Sequence, residues 1–217
     1  MPKGTDAGHS LVEILIAVGL VAILLVFLSA GYGRAMEHSR AIRCMGNLRQ
    51  LGVAFSRSVS EHQGKLPVVI KVQQELAGYL LPGEKFPAAT SPRKTFGVMI
   101  CPEDQAAFFP EGRSYAVNHY MGPTTVMTSQ HVSRMLEVVH PGRVAYLMDG
   151  FREGMEAGAN ARFNQNTSPF GKTTQMGGVF RHRQRANVLF ADGRVEALSH
   201  AEFLQDMNSR IFPKNSQ

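Results

Sequence analysis

The hydrophobic pattern of the chain begins with one long apolar segment near the N-terminus. No residue from Ile14 to Ala30 is charged, and only Ser29 is polar. As an α-helix this segment rises about 26 Å, and with its neighbours from Leu11 to Gly33 it approaches the roughly 30 Å hydrocarbon core of a bilayer. It is longer than the apolar core of about 7–15 residues in a cleavable secretory signal. The pattern therefore predicts a transmembrane helix over about residues 11–33.

An amphipathic pattern with helical spacing continues beyond this segment. Apolar residues recur at steps of three and four, at Ile42, Met45, Leu48, Leu51 or Gly52, Phe55 and Val59. Gly64 and Pro67 are expected to end the helix. We predict one long helix over residues 9–63, with its first part in the membrane and its second part packed on a globular domain of residues 64–217.

The rest of the chain has the pattern of short strands and turns. Three segments are predicted to be strands, each followed by proline, glycine or aspartate: Val98–Cys101, Ser114–His119 and Arg143–Met148. Asn187–Ala191 and Arg194–Leu198 predict a hairpin whose Asp192-Gly193 turn is typical of type I′. Residues 151–178 are rich in glycine and asparagine and predict a long surface loop. The expected fold class is α+β, a long N-terminal helix packed on an antiparallel β-sheet.

A glycine and a glutamate stand immediately before the apolar segment. Gly8-His9-Ser10-Leu11-Val12-Glu13 follows a short polar stretch and leads directly into the helix. This arrangement resembles the processing site of type IV prepilins and type II secretion pseudopilins. The resemblance implies that residues 1–8 are a leader, which a prepilin peptidase removes after Gly8 before the new N-terminus at His9 is N-methylated. The chain departs from the pattern at His9, where pilins usually carry phenylalanine.

Glu13 is a carboxylate at the rim of the apolar segment. A carboxylate in lipid is costly, so a partner is expected. The pilin resemblance implies that Glu13 meets the α-amine at His9 of a neighbouring subunit during assembly, which neutralises both charges. The alternative is an ordinary signal anchor, in which Glu13 extends to the aqueous interface.

A second signature lies near the C-terminus. His182 is separated from Asp192-Gly193 by nine residues. Together with the N-terminal site, this is similar to the bacterial pseudopilin-like family that combines a prepilin-type N-terminus with a C-terminal H-x9-DG signature. Further segments resemble that family: Cys44–Gly52, Cys101–Asp104, Ser114–Asn118 and Pro141–Val144. The resemblance implies a pilin-like subunit of a periplasmic pseudopilus or pilus. Its implied partners are prepilin peptidase, other pilin or pseudopilin subunits in a homo- or hetero-polymer, and an inner-membrane assembly platform.

The chain is basic, with a net charge of +6. Its arginine groups are not interleaved with aromatic residues, so nucleic acid is not an expected partner. The positive-inside rule alone would place the arginines that follow the apolar segment in the cytoplasm, but long domains translocate largely regardless of charge. The prepilin resemblance requires a cytoplasmic leader. We therefore expect a single-pass inner-membrane protein with a cytoplasmic N-terminus and a periplasmic globular domain.

The chain contains two cysteines, Cys44 and Cys101. They lack the spacing of a zinc motif or of a CxxC redox motif. Outside the cytoplasm a cysteine pair is most simply a disulfide, which we predict here. Two separate buried thiols remain the alternative.

No catalytic motif is present in the sequence. HExxH, GxSxG and the P-loop pattern are all absent. The acid–base candidates are expected to be solvated or turn residues: His140, Asp149, His182, Asp192 and Glu196. Many major pseudopilins bind calcium in a C-terminal loop, but the acidic residues here are too few and scattered to place such a site. We expect no enzymatic activity, no cofactor and no metal.

Two other functions remain open from the sequence. The chain could be a bitopic envelope protein whose periplasmic domain binds a ligand or partner without polymerising. Cleavage after Ala30 by ordinary signal peptidase would instead release a periplasmic protein.

Overall fold

Helix α1 spans Leu11–Glu61 and is continuous over 51 residues. It belongs to a computed structural model that describes residues 10–80, 97–103, 114–124, 129–150, 162–163, 180–206 and 213–214. The long helix predicted from the sequence is confirmed, and it ends two residues before the predicted boundary at residue 63. The chain divides into two compact units, Met1–Ser39 and Arg40–Gln217.

The first unit contains the apolar part of α1. The side chains described from Leu11 to Phe27 are all exposed, and none of the most apolar window of the helix is buried within the protein. This part of the helix is long and apolar enough to cross a membrane.

The second unit contains the amphipathic part of α1. Most of its buried positions follow alternating steps of four and three residues, at Cys44, Leu48, Leu51, Phe55 and Ser58, and Gly52 and Ala54 are buried beside them. The predicted stripe is therefore confirmed at Leu48, Leu51 and Phe55. It is wrong at Ile42, which is 52% exposed, because the buried face begins at Cys44.

Five strands form one sheet in the order β3-β1-β2-β4-β5. Their bounds are Tyr115–Asn118 (β1), Ala145–Asp149 (β2), Arg162–Phe163 (β3), Arg185–Phe190 (β4) and Val195–Ser199 (β5). Strands β1, β2, β4 and β5 pair antiparallel, and the two-residue β3 pairs parallel to β1. The predicted α+β architecture is thus present, with a four-stranded antiparallel core.

Apolar side chains cover both faces of the sheet. On one face the core includes Leu48 and Phe55 of α1, and the Phe55 ring stacks on Tyr146 with 3.9 Å between ring centroids. On the other face Phe203 lies in a second apolar cluster with Met148. Phe203 comes from helix α3, His200–Gln205, which follows β5 directly. Burial of both faces explains why β2 is apolar over most of its length rather than alternating.

Two elements differ from the sequence prediction between α1 and the sheet. Gly97–Met99 is a 3₁₀ helix, so the predicted strand Val98–Cys101 is wrong. Four apolar residues in a row do not by themselves distinguish a strand from a buried helical turn. Helix α2, Val72–Leu80, follows a 3₁₀ turn at Val69–Lys71 and was not predicted.

The hairpin between β4 and β5 is confirmed, but its turn is not type I′. Phe190 and Arg194 flank a three-residue loop, with the Gly193 N–H donating to the Phe190 carbonyl at 3.0 Å. Gly193 has φ +91, whereas Asp192 is not among the residues with positive φ. A type I′ turn needs positive φ at both central residues, and a single left-handed glycine fits the longer hairpin loop instead.

The predicted loop over residues 151–178 lies mostly outside the described residues. Within it, only Arg162–Phe163 is described, and this pair forms strand β3. The prediction of a loop is therefore wrong at these two positions.

Candidate functional site

The N-terminal processing residues Gly8 and His9 lie outside the described residues. Glu13 is described in the first turn of α1, where its Oε2 accepts a hydrogen bond from the Ser10 backbone N–H at 3.0 Å. This contact is one half of a capping box, in which the third helical residue satisfies the N–H of the N-cap residue. Glu13 therefore has a local role in starting the helix, and its role in assembly stays a prediction.

The second unit contains a buried group of four side chains that can ligate a metal. They are Cys44, Cys101, Asp149 and His182, and one ligand atom from each lies within 4.8 Å of all the others. Cys44, Cys101 and Asp149 are fully buried, and His182 is 7% exposed. Four separate segments of the chain converge here, which is why no local spacing in the sequence indicated the cluster.

Hydrogen bonds link helix α1 to the segment before Cys101, next to the cluster. Cys44 lies on the buried face of α1. One turn later the Asn47 side-chain amide donates to the carbonyl of Ile100 at 2.9 Å and to that of Gly97 at 3.3 Å. These bonds hold Cys101 next to Cys44.

The sheet supplies the other two members. Asp149 is the last residue of β2. His182 precedes β4 and exchanges two backbone hydrogen bonds with Arg185, at 3.0 and 3.1 Å. The two residues between them, Arg183 and Gln184, have φ +51 and +63. Positive φ at both central residues is typical of a type I′ turn, and residues other than glycine adopt it only with backbone strain. A tight turn therefore holds the backbone of His182.

The polar atoms of the cluster are in close contact. His182 Nε2 lies 3.3 Å from Cys101 Sγ and 3.4 Å from Asp149 Oδ2. Cys44 Sγ lies 3.4 Å from Asp149 Oδ1. Each side chain therefore contacts at least one of the others.

Two further groups contact the cluster from outside. The Asn187 backbone N–H donates to Asp149 Oδ2 at 2.7 Å. The Tyr115 hydroxyl lies 3.2 Å from Cys44 Sγ. Both partners are themselves buried, so they fix the orientation of the carboxylate and of the sulfur.

The electrostatics differ between the two thiols. Burial raises the pKa of Cys44, so this thiol stays protonated. Its hydrogen bond to Cys101, together with that of His182, lowers the pKa of Cys101 to about 6. Burial opposes protonation of His182, but hydrogen bonds to Asp149 and Cys101 raise its pKa to about 9. The cluster thus stabilises a thiolate and an imidazolium next to a buried carboxylate.

The predicted disulfide is not formed in this structure. Cys44 and Cys101 are both free thiols, although their sulfur atoms are within 4.8 Å. The two sulfur atoms are near each other, and the bond itself stays a prediction.

The geometry does not favour a catalytic cysteine. In a Cys–His–Asp triad the nucleophile and the carboxylate contact opposite nitrogens of the imidazole. Here Cys101 and Asp149 both contact Nε2, and Nδ1 has no hydrogen-bond partner among the described residues. The Cys101 thiol is also fully buried.

The structure separates the residues of the H-x9-DG signature. His182 joins the buried cluster, whereas Asp192 and Gly193 form the loop of the β4–β5 hairpin. Asp192 Oδ1 accepts from the Arg194 N–H at 3.0 Å, and Arg194 also pairs with Glu196 at 2.6 Å. Asp192 thus has the turn role expected from the sequence. His140 is exposed, and its carbonyl accepts from the Arg143 N–H at 2.8 Å at the start of a turn.

Sequence reasoning named Asp149 only as one of several acid–base candidates and gave Tyr115 and Asn187 no role in a site. The expected solvated or turn position is wrong for Asp149 and His182, which are buried. The available signal was the position of Asp149 directly after a predicted strand. Comparison with protein-family models, with curated proteins and with solved structures found no match for this chain.

Proposed function

We propose that this chain is a membrane-anchored, pseudopilin-like structural subunit rather than an enzyme. A prepilin peptidase removes residues 1–8, and α1 then holds the subunit in the inner membrane with the sheet domain in the periplasm. An assembly platform draws the subunit, with other pilin-like subunits, into a pseudopilus or pilus. The proposal rests on the N-terminal and H-x9-DG resemblances together with the construction of α1.

The observation that carries the proposal is that one continuous helix contains both an exposed apolar part and a part that packs in the domain core. The first part of α1 is apolar and exposed on all sides, as a membrane segment is. The later part supplies Leu48, Leu51 and Phe55 to the core of the sheet domain. A signal sequence that serves only export has no reason to continue as the central core helix of the exported domain. A membrane anchor that must move together with its domain during assembly is expected to be continuous with a core helix of that domain.

The surface of α1 in the second unit also supports polymerisation. Val53 is 70% exposed and Ile42 is 52% exposed, although both lie on the helix that forms the core. Apolar side chains of this size on a helix surface are suited to packing against the helix of a neighbouring subunit. In the proposed fibre, neighbouring subunits cover them.

The charge of Glu13 can be tested separately from its cap. Glutamine also serves as the third residue of a capping box, so Glu13→Gln keeps the bond to Ser10 while removing the charge. We expect Glu13→Gln to insert and be processed normally but to lose multimers, because it cannot neutralise the amine of a neighbour. Cross-linking through Val53→Cys measures assembly, since both native cysteines are buried. Cells for this experiment express the complete assembly machinery.

The matched control is Glu37→Gln, which removes the same charge from the same helix beyond the apolar segment. It should cross-link like the parent Val53→Cys protein. Equal multimers from Glu13→Gln and the parent would refute the role of Glu13. No multimers from the parent itself would favour the bitopic receptor over a fibre subunit.

A further inference from the structure

We propose that Cys44, Cys101, Asp149 and His182 bind one zinc ion in a closed structural site. The inference concerns the core of the second unit and does not depend on assembly into a fibre. It also gives His182 a physical role as a metal ligand. The H-x9-DG signature alone does not indicate such a role.

The spacing of the ligand atoms fits a tetrahedral ion. Zinc bonds of about 2.3 Å to sulfur and about 2.0–2.1 Å to nitrogen or oxygen place the ligand atoms about 3.3–3.8 Å apart. With Asp149 Oδ1 as the oxygen ligand, the Cys101 Sγ–His182 Nε2 and Cys44 Sγ–Asp149 Oδ1 contacts measure 3.3 and 3.4 Å. All four atoms lie within 4.8 Å of one another. Only small movements are needed to complete the tetrahedron.

The chemistry of the four donors selects the metal. Two thiolates, one imidazole and one carboxylate form a mixed sulfur, nitrogen and oxygen set, which suits zinc. Calcium and magnesium prefer sites made only of oxygen atoms. The protein supplies all four ligands and buries them, so no open position remains for a substrate or a catalytic water. Zinc sites with this property stabilise a fold rather than catalyse a reaction.

Outer contacts of the kind that orient metal ligands are present. The Asn187 N–H bond to Asp149 Oδ2 leaves Oδ1 facing Cys44. The Tyr115 hydroxyl can donate to the Cys44 sulfur once that sulfur is a thiolate. Such second contacts typically contribute about 10- to 100-fold to metal affinity.

Zinc binding keeps the buried charge small. The ion carries +2 and its ligands bind without their protons, so two thiolates, one carboxylate and a neutral imidazole give the occupied site a net charge of −1.

Zinc and a disulfide exclude each other here, because they need the same two sulfur atoms. The full-length chain should therefore be purified in detergent without oxygen or chelator, and its zinc measured by plasma mass spectrometry. We expect about one zinc per chain. Cobalt added to the stripped, reduced protein should give the strong visible bands of a tetrahedral site and the near-ultraviolet band of a sulfur–cobalt bond. These measurements use the wild-type chain and do not depend on whether a variant folds.

Substitutions assign the ligands. Cys101→Ser should weaken the sulfur–cobalt band, and His182→Gln should change the visible bands and lower zinc affinity by at least about 100-fold. Tyr115→Phe should lower the affinity by about 10-fold if its hydroxyl orients Cys44. The matched control is His131→Gln, since His131 is equally buried but lies outside the cluster. It should bind zinc like the wild type.

Two results would overturn the proposal. One is a Cys44–Cys101 cross-linked peptide in the isolated protein together with no cobalt spectrum after reduction. The other is unchanged zinc affinity in His182→Gln.

Discussion

Gly122 illustrates how strongly one residue is constrained by a close backbone approach. It has φ +134, and a Cβ atom at this position would overlap the carbonyl oxygen of Pro67. The N–H of Gly122 itself donates to the Val132 carbonyl at 3.1 Å, so the Gly122 backbone cannot easily move away from Pro67. Gly46, by contrast, lies within α1 with no atom within 4 Å of an added Cβ.

These two glycines give opposite expectations for the same substitution. Gly122→Ala should destabilise the domain by at least about 1–3 kcal/mol, because it combines backbone strain with a clash. Gly46→Ala should stabilise it by up to about 1 kcal/mol, because alanine has the higher helix propensity. Thermal or denaturant unfolding of the full chain in detergent measures both. A neutral Gly122→Ala would contradict the close approach of Gly122 to the Pro67 carbonyl.

The candidate site could be predicted from the sequence only in part. The two cysteines were predicted to approach each other, because a periplasmic pair is most simply bonded. Asp149 and His182 could not be added, since they become neighbours of Cys44 only through the order of strands in the sheet. The residue pattern identifies strands, but it does not specify which ends of which strands meet.

The short helix α3 is stabilised by a capping box at its N-terminus. The Ser199 hydroxyl accepts from the Glu202 N–H at 3.3 Å, and Glu202 accepts from the Ser199 N–H at 2.7 Å, which completes a capping box. The Ser199 backbone bond is the main reason that the pKa of Glu202 is lowered, with Arg185 adding to it. The helix was not predicted, because its six residues are too few for a periodic pattern.

The lowered pKa gives α3 a defined dependence on pH. A carboxylate whose pKa is lower in the folded state stabilises that state above its unfolded pKa of about 4.3. This stabilisation is lost as the pH falls through the folded value. We expect the hydrogen-exchange protection factors of residues 199–206, which correct for the intrinsic exchange rate at each pH, to fall on acidification more in the wild type than in Glu202→Gln. Glu196→Gln, on the adjacent strand, is the control and should behave like the wild type. Identical profiles for the wild type and Glu202→Gln would contradict the capping assignment.

At the scale of the whole molecule, the sequence predicted what is local and periodic. The long helix, strands β1 and β2 and the β4–β5 hairpin follow from hydrophobic spacing that one segment carries by itself. Strand β3 could not be predicted, because its two residues lie in a glycine- and asparagine-rich stretch and are defined only by pairing with β1. The predicted strand at Val98–Cys101 is wrong because a short apolar run also suits a buried 3₁₀ turn.

The proposed processing fixes the first residue of the mature chain. Mass spectrometry of the mature N-terminal peptide, after co-expression with a prepilin peptidase, identifies that residue. We expect a chain that begins at His9, and only full-length precursor when Gly8→Leu blocks cleavage. An N-terminus at Gly31, or an uncut wild-type chain in the presence of active peptidase, would contradict it.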